Sequence, residues 1–180
     1  EAAVGNRCNA GCTNFDVWRM LIFFDTSALG CGATVDTATI SLWRAEAGAN
    51  TNADNIAIYY STLASATTFT TSDGSFSSIG TVLQSDTTPN LNTGMTNAAY
   101  NDFVLNVTGV GNIQVTGVSK FASRTTRDVS NTAPTASDNY IGISTADVAG
   151  TSNDPKLVLT FTAGTCAGAD SSEGIMLQNF

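Results

Sequence analysis

The feature that most constrains this chain is a pair of alternating runs, residues 19–27 and 33–43, joined through Gly30-Cys31-Gly32. Side chains of an extended segment point alternately to opposite faces, so Met20, Ile22 and Phe24 fall on one side, as do Ala38, Ile40 and Leu42. The same period of two recurs from Arg19 to Phe161, interrupted at short intervals by Gly, Asn, Asp and Ser, while helical periodicity is nearly absent. That pattern predicts an all-β, antiparallel sandwich or barrel. Strands are expected near 17–25, 36–44, 55–61, 79–84, 101–108, 112–117, 139–144 and 156–162. Further inward sets are Ile56, Ile58 and Tyr60; Phe103, Leu105 and Val107; and Leu157, Leu159 and Phe161. Segments 46–54, 64–75, 84–99 and 122–138 concentrate turn-forming residues and read as loops.

At 180 residues the chain suits one β-sandwich domain, placed at 1–166, with an N-terminal extension before the first strand and a tail over 167–180. The net charge is −8, and only seven Lys and Arg are spread along the sequence. Nucleic acid is therefore not an expected partner, because phosphate recognition needs clustered cations. No apolar run approaches the roughly 20 residues of a spanning helix. The four cysteines, Cys8, Cys12, Cys31 and Cys166, form an even set that favours disulfides and an extracellular setting. Pairing Cys31 with Cys166 would close most of the domain and leave Cys8 with Cys12 as a small local loop. Cys8 or Cys12 tied to Cys166 or to a neighbouring subunit is the alternative.

Catalytic machinery is not expected. The sequence has no His and no Gly-x-Ser-x-Gly elbow, and its many Asp residues sit in turns where they serve local backbone hydrogen bonds. The one cofactor for which the loops offer ligands is a structural calcium ion, with Asp54 in Asn50-Thr51-Asn52-Ala53-Asp54-Asn55 and Asp154 in Ser152-Asn153-Asp154 as candidates; turn formation explains the same residues. For a glycan the candidates are Trp43, Tyr59 and Tyr100, aromatics that would offer flat apolar faces if they point outward. Asn106-Val107-Thr108 matches an N-glycosylation acceptor within an expected strand.

Two apolar features are left over. If Met20, Ile22 and Phe24 fill the core, Leu21 and Phe23 on the opposite face need cover from a loop, the N-terminal segment or another subunit. The linker-like stretch after Cys166 runs into Ile175-Met176-Leu177-Gln178-Asn179-Phe180, an apolar ending that a solvated tail does not need. Leu21, Phe23, Ile175, Met176, Leu177 and Phe180 together form the candidate assembly surface, with homo-oligomerisation through the tail as the expected partnership.

Residues 19–27 with their Phe24-Asp25-Thr26-Ser27 ending, followed by Ala33-Thr34-Val35 and Ala38-Thr39-Ile40-Ser41-Leu42, resemble the opening of DNRLRE-type domains. Phe103-Val104-Leu105-Asn106-Val107-Thr108 is similar to that family's middle strand, and residues 154–162 to its closing strand. These are jelly-roll modules of bacterial surface proteins, phage structural proteins and some polysaccharide-degrading enzymes. The resemblance spans roughly 15–162 and implies a jelly roll without catalytic machinery of its own, with carbohydrate binding in some relatives. The expected function is a non-enzymatic, extracellular structural subunit of an assembly, at a cell surface or in a virion. A carbohydrate-binding or adhesion module is the alternative.

Overall fold

The computed structural model describes residues 1–8, 12–46, 54–68, 70, 73, 75–134, 138–147 and 149–166. The chain forms β1 (Ala2–Cys8), β2 (Phe15–Trp18), β3 (Met20–Asp25), β4 (Thr34–Glu46), β5 (Ile56–Ser61), β6 (Ile79–Leu83) and β7 (Ala99–Val104). A short helix α1 (Val107–Gly111), β8 (Val118–Thr125), the single turn α2 (Thr126–Val129), β9 (Asp138–Ile143) and β10 (Lys156–Thr162) follow. Every strand pair is antiparallel. One sheet, here sheet A, runs β10-β4-β9-β1-β2 with β7 added on β4; sheet B runs β3-β8-β5-β6. The product is an all-β sandwich, as the alternation predicts.

β4 organises sheet A because it is long enough to hold three partners. Residues 34–41 pair with β10, 39–44 with β7, and Arg44 and Glu46 with β9. Its inward residues Ala38, Ile40 and Leu42 are buried with Val4, Phe103, Ile141, Ile143 and Leu157, against Met20, Ile22, Ile56, Ile58 and Phe121 of sheet B. Fully burying a large aliphatic side chain contributes about 1.5–3 kcal/mol, so this shared layer is the main source of stability. Arg44 also enters the core, where its guanidinium donates to the Met95 carbonyl at 2.7 Å; burial lowers its pKa.

Four expectations are corrected. Residues 2–8 are not an extension: they form β1, hydrogen-bonded between β9 and β2. The strand expected at 112–117 lies instead at 118–125, inside the stretch read as a loop. Val107 is 88 % exposed, because Asn106 ends the extended run and caps α1, its side chain accepting from the Gly109 amide at 2.9 Å. Phe161 is 37 % exposed, since the register with β4 shifts between Thr160 and Phe161 and breaks the alternation there.

The disulfides are Cys8–Cys12 and Cys31–Cys166. The second ties the start of β4 to the segment after β10. There the backbones approach so closely that a Cβ on Gly32 would stand 2.8 Å from the Thr165 carbonyl oxygen. Gly32 also has φ +79, a left-handed conformation that glycine adopts without steric cost.

Candidate functional site

The outward residues of β4 are Thr37, Thr39, Ser41 and Trp43, which alternate with its buried row. Register places Tyr100 opposite Trp43 and Asp102 opposite Ser41 on β7; Lys156 faces Ser41, Val158 faces Thr39 and Thr160 faces Thr37 on β10. Trp43 and Tyr100 meet edge to face with ring centroids 5.2 Å apart. The Lys156 ammonium stands 3.7 Å from the Tyr100 ring centroid, a cation–π contact at the exposed surface. The Tyr100 hydroxyl donates to the carbonyls of Ser152 at 2.7 Å and Asp154 at 3.0 Å, which fixes the ring over the sheet. Ser41 donates to Asp102 at 2.6 Å, and the hydroxyls of Thr37 and Thr160 are 2.8 Å apart. Val104 and Val158, 44 % and 59 % exposed, flank Thr39.

A second aromatic pair stands on the same face. Gly5 of β1 pairs with Trp18 on one side and Tyr140 on the other, and the two rings meet over it at 5.0 Å. A Cβ on Gly5 would overlap the Asn139 carbonyl and Tyr140. The open face of sheet A thus presents aromatics held in place, a run of hydroxyls, the Lys156 ammonium and Asp102 carboxylate, and an exposed Arg7–Asp138 ion pair. These groups suit contact with a neutral polar ligand or with another protein surface.

Of the glycan candidates, the structure brings Trp43 and Tyr100 together and separates Tyr59. Tyr59 points outward from sheet B but is only 4 % exposed, so it offers no face to a ligand; burial raises its pKa, with the nearby Arg124 charge opposing. Residues 62–68 and 75–78 supply cover for that side of sheet B. The Lys120 ammonium donates to the carbonyls of Leu63 at 2.7 Å and Ala64 at 2.9 Å, and the Phe76 ring lies 4.5 Å from the Arg124 guanidinium. Beneath this cover Ala57, Tyr59, Ile79 and Ala122 form a second small core.

Beside that core lies a buried ion network. Asp128 accepts from Arg124 Nε at 2.7 Å and from Arg19 at 2.8 and 2.7 Å, and Arg124 donates onward to the Ile79 carbonyl at 3.0 Å. Burial pushes the Asp128 carboxyl up, but the hydrogen bonds and charges of Arg19 and Arg124 outweigh it and hold the group below its ordinary value.

Leu21, one of the assembly candidates, packs against the second core and is covered by its own chain. Phe23 is half-buried and lines a groove between β3 and β10. Ile175, Met176, Leu177 and Phe180 lie outside the described residues. The calcium candidates have different partners. Asp54 is buried, with Arg127 Nε 3.3 Å from its carboxylate and the side-chain amides of Asn6 and Asn139 donating to it, so donors already surround it. Asp154 serves Tyr100 through its backbone carbonyl. Among the described residues no group of three or more His, Cys, Asp and Glu stands ready to hold a metal ion. The Asn106 amide nitrogen donates to the Leu83 carbonyl at 2.9 Å, so this acceptor candidate sits at a helix cap, half-buried, and not in a strand.

Asp102, Lys156 and the Thr row are absent from the sequence-level candidates. The signal for them lay in the polar half of the same alternation that identified the core. No protein-family model, no curated protein and no solved structure matches the chain.

Proposed function

We propose that this protein is a non-enzymatic structural subunit that works outside the cytoplasm, in a virion component such as a decoration or fibre, or in a surface filament. The observation that carries this reading is the apolar composition of two edge strands. Among the described residues β3 and β10 each pair on one side only, and both are apolar along most of their length. Such edges are templates for another chain. Two disulfides and the resemblance to DNRLRE-type domains support an extracellular role in an assembly. No helix among the described residues is long and apolar enough to cross a membrane. The test is particle size by light scattering and negative-stain microscopy across a concentration series. Regular particles that grow with concentration are expected; a monomer at every concentration, with and without reductant, overturns the reading.

A second reading, a carbohydrate-binding or adhesion module, draws on the Trp43–Tyr100 pair on the open face of sheet A. Saturable glycan binding by a monomer, lost in Trp43→Ala, would replace the first reading with this one.

A further inference from the structure

A polar pocket of about 470 Å³ lies at one end of sheet B, between the residues that follow β5 and the turn that leads into β8. Tyr60, Ala64 and Ala66 line it on one side, and Gln114, Thr116 and Lys120 on the other. The turn is set from beneath by two buried hydroxyl residues. Thr26 donates from its backbone amide to the Gly117 carbonyl at 3.0 Å and from its hydroxyl to the Gln114 carbonyl at 2.6 Å, and Ser119 accepts from the Gln114 amide at 2.9 Å. The backbone of the turn is thereby committed. The side chains of Gln114 and Thr116 stand exposed above it, and neither they nor the Tyr60 hydroxyl has a hydrogen-bond partner among the described residues.

Lys120 brings a fixed charge to this place. Its ammonium donates to the carbonyls of Leu63 at 2.7 Å and Ala64 at 2.9 Å, which uses two of its three protons and holds the group still. Two carbonyl dipoles leave the full positive charge in place, and among the described residues Lys120 makes no ion pair. In a chain with 15 Asp and Glu against seven Lys and Arg, that is the less expected outcome. The cavities lined by Asp102 and by Asp25 each include a carboxylate, whereas this one includes none.

We propose that this pocket binds a small polyhydroxy carboxylate, with its carboxylate on the Lys120 ammonium and its hydroxyls on Gln114 and Thr116. The inference goes beyond the assembly reading and does not depend on it. The volume suits a compact small molecule. An apolar occupant would strip water from the amide, the hydroxyls and the ammonium without replacing their hydrogen bonds, and a cation would meet the Lys120 charge directly. A neutral polyol would satisfy Gln114 and Thr116 but leave the ammonium without a counter-charge. A bare carboxylate would satisfy the ammonium and leave the other two unpaired. Only a ligand carrying both groups answers the whole lining, and because the turn and the ammonium are already held in position, little ordering is lost when it enters.

Titration of the full-length protein with sodium gluconate, followed by amide chemical shifts, tests this. Saturable shifts are expected at residues 114–118 and at Lys120, with a dissociation constant of about 1 mM. Sorbitol, which has the hydroxyls without the carboxylate, and acetate, which has the carboxylate alone, should each bind at least about tenfold more weakly. Lys120→Met should weaken gluconate by about tenfold or more, the loss of a charged hydrogen bond. Because Lys120 also ties down Leu63 and Ala64, Gln114→Ala serves as a variant at an exposed position that supports no part of the fold; about a fivefold loss is expected there, and circular dichroism confirms which variants fold. Absence of saturable shifts at these residues overturns the proposal. So does sorbitol or acetate binding as tightly as gluconate, or a folded Gln114→Ala that binds like the parent. Particle size measured on the same samples reports on assembly separately, so either reading can fail without the other.

Discussion

The outer faces of the two sheets follow the same alternation and reach opposite ends. On sheet B the outward row is Leu21, Ala57, Tyr59, Ala122 and Arg124, apolar or stacked, and the chain folds residues 62–68 and 75–78 back over it. On sheet A the outward row is Thr37, Thr39, Ser41, Trp43, Tyr100 and Asp102, and apart from the buried Ser41 it stays open. An apolar second face is therefore covered from within, while the polar one is left exposed. The difference extends to what holds each side in place. Sheet B's outer layer is closed by packing around a buried ion network, whereas the β4–β10 end of sheet A is closed by a covalent tie, Cys31–Cys166.

The largest expected effect breaks that tie. Replacing Cys31 and Cys166 together with Ser frees a loop of 135 residues in the unfolded chain, and loop-closure entropy gives a loss of about 5 kcal/mol. Guanidinium melts would show it. Amide exchange should rise first along 156–162 and 34–41, with residues 118–125 of sheet B protected longer; a uniform rise across both sheets would mean that the two closures are not separable.

Sequence alone revealed the parts in which alternation and size agree. β4 reads correctly because Ala38, Ile40 and Leu42 are apolar while Thr37, Thr39 and Ser41 are not. β8 escaped because its inward row contains only one large apolar residue, Phe121, between Ser119 and Ser123, both fully buried. Ser119 is tolerable there because its hydroxyl lies 2.7 Å from that of Thr26 and accepts from the Gln114 amide at 2.9 Å, partners distant in sequence or hidden in a turn. β1 escaped for a related reason: Gly5 weakens the strand signal locally, and only the rings of Trp18 and Tyr140, supplied by two other strands, fill its place. Trp43 was visible as a surface candidate, but its union with Tyr100 and Lys156 depends on which strands flank β4, and no local pattern encodes that.

A smaller effect, confined to sheet B, comes from Asp128. Asp128→Ala leaves Arg124, which is fully buried, and Arg19 facing each other without a counter-charge, a loss of about 3–5 kcal/mol. The pH dependence has a definite sign. Folding holds the Asp128 carboxyl below its ordinary value, so its contribution is complete above about pH 4, where the unfolded group is ionised, and drains as the pH falls through the folded value. Denaturant midpoints measured from pH 7 down to pH 2 should fall on that acid limb, and Asp128→Asn should flatten it. An acid limb of unchanged depth in the variant would assign the loss to other carboxylates and weaken the contrast between the faces.

The smallest effect concerns the matched aspartate on the open face. Asp102 accepts from Ser41 at 2.6 Å, as Asp128 accepts from its arginines, but it is exposed and water replaces the lost partner. Asp102→Ala should therefore cost no more than about 1 kcal/mol, the usual net worth of one hydrogen bond made where solvent competes. Thermal melts of Asp102→Ala beside Asp128→Ala make the comparison direct, since both remove a carboxylate from the outer side of a strand layer. Two losses of similar size would mean that the open face is as structurally committed as the covered one. A loss at Asp102 several times smaller would mean that the row from Thr37 to Trp43 can change its chemistry, and so its partner, without disturbing the sandwich beneath it.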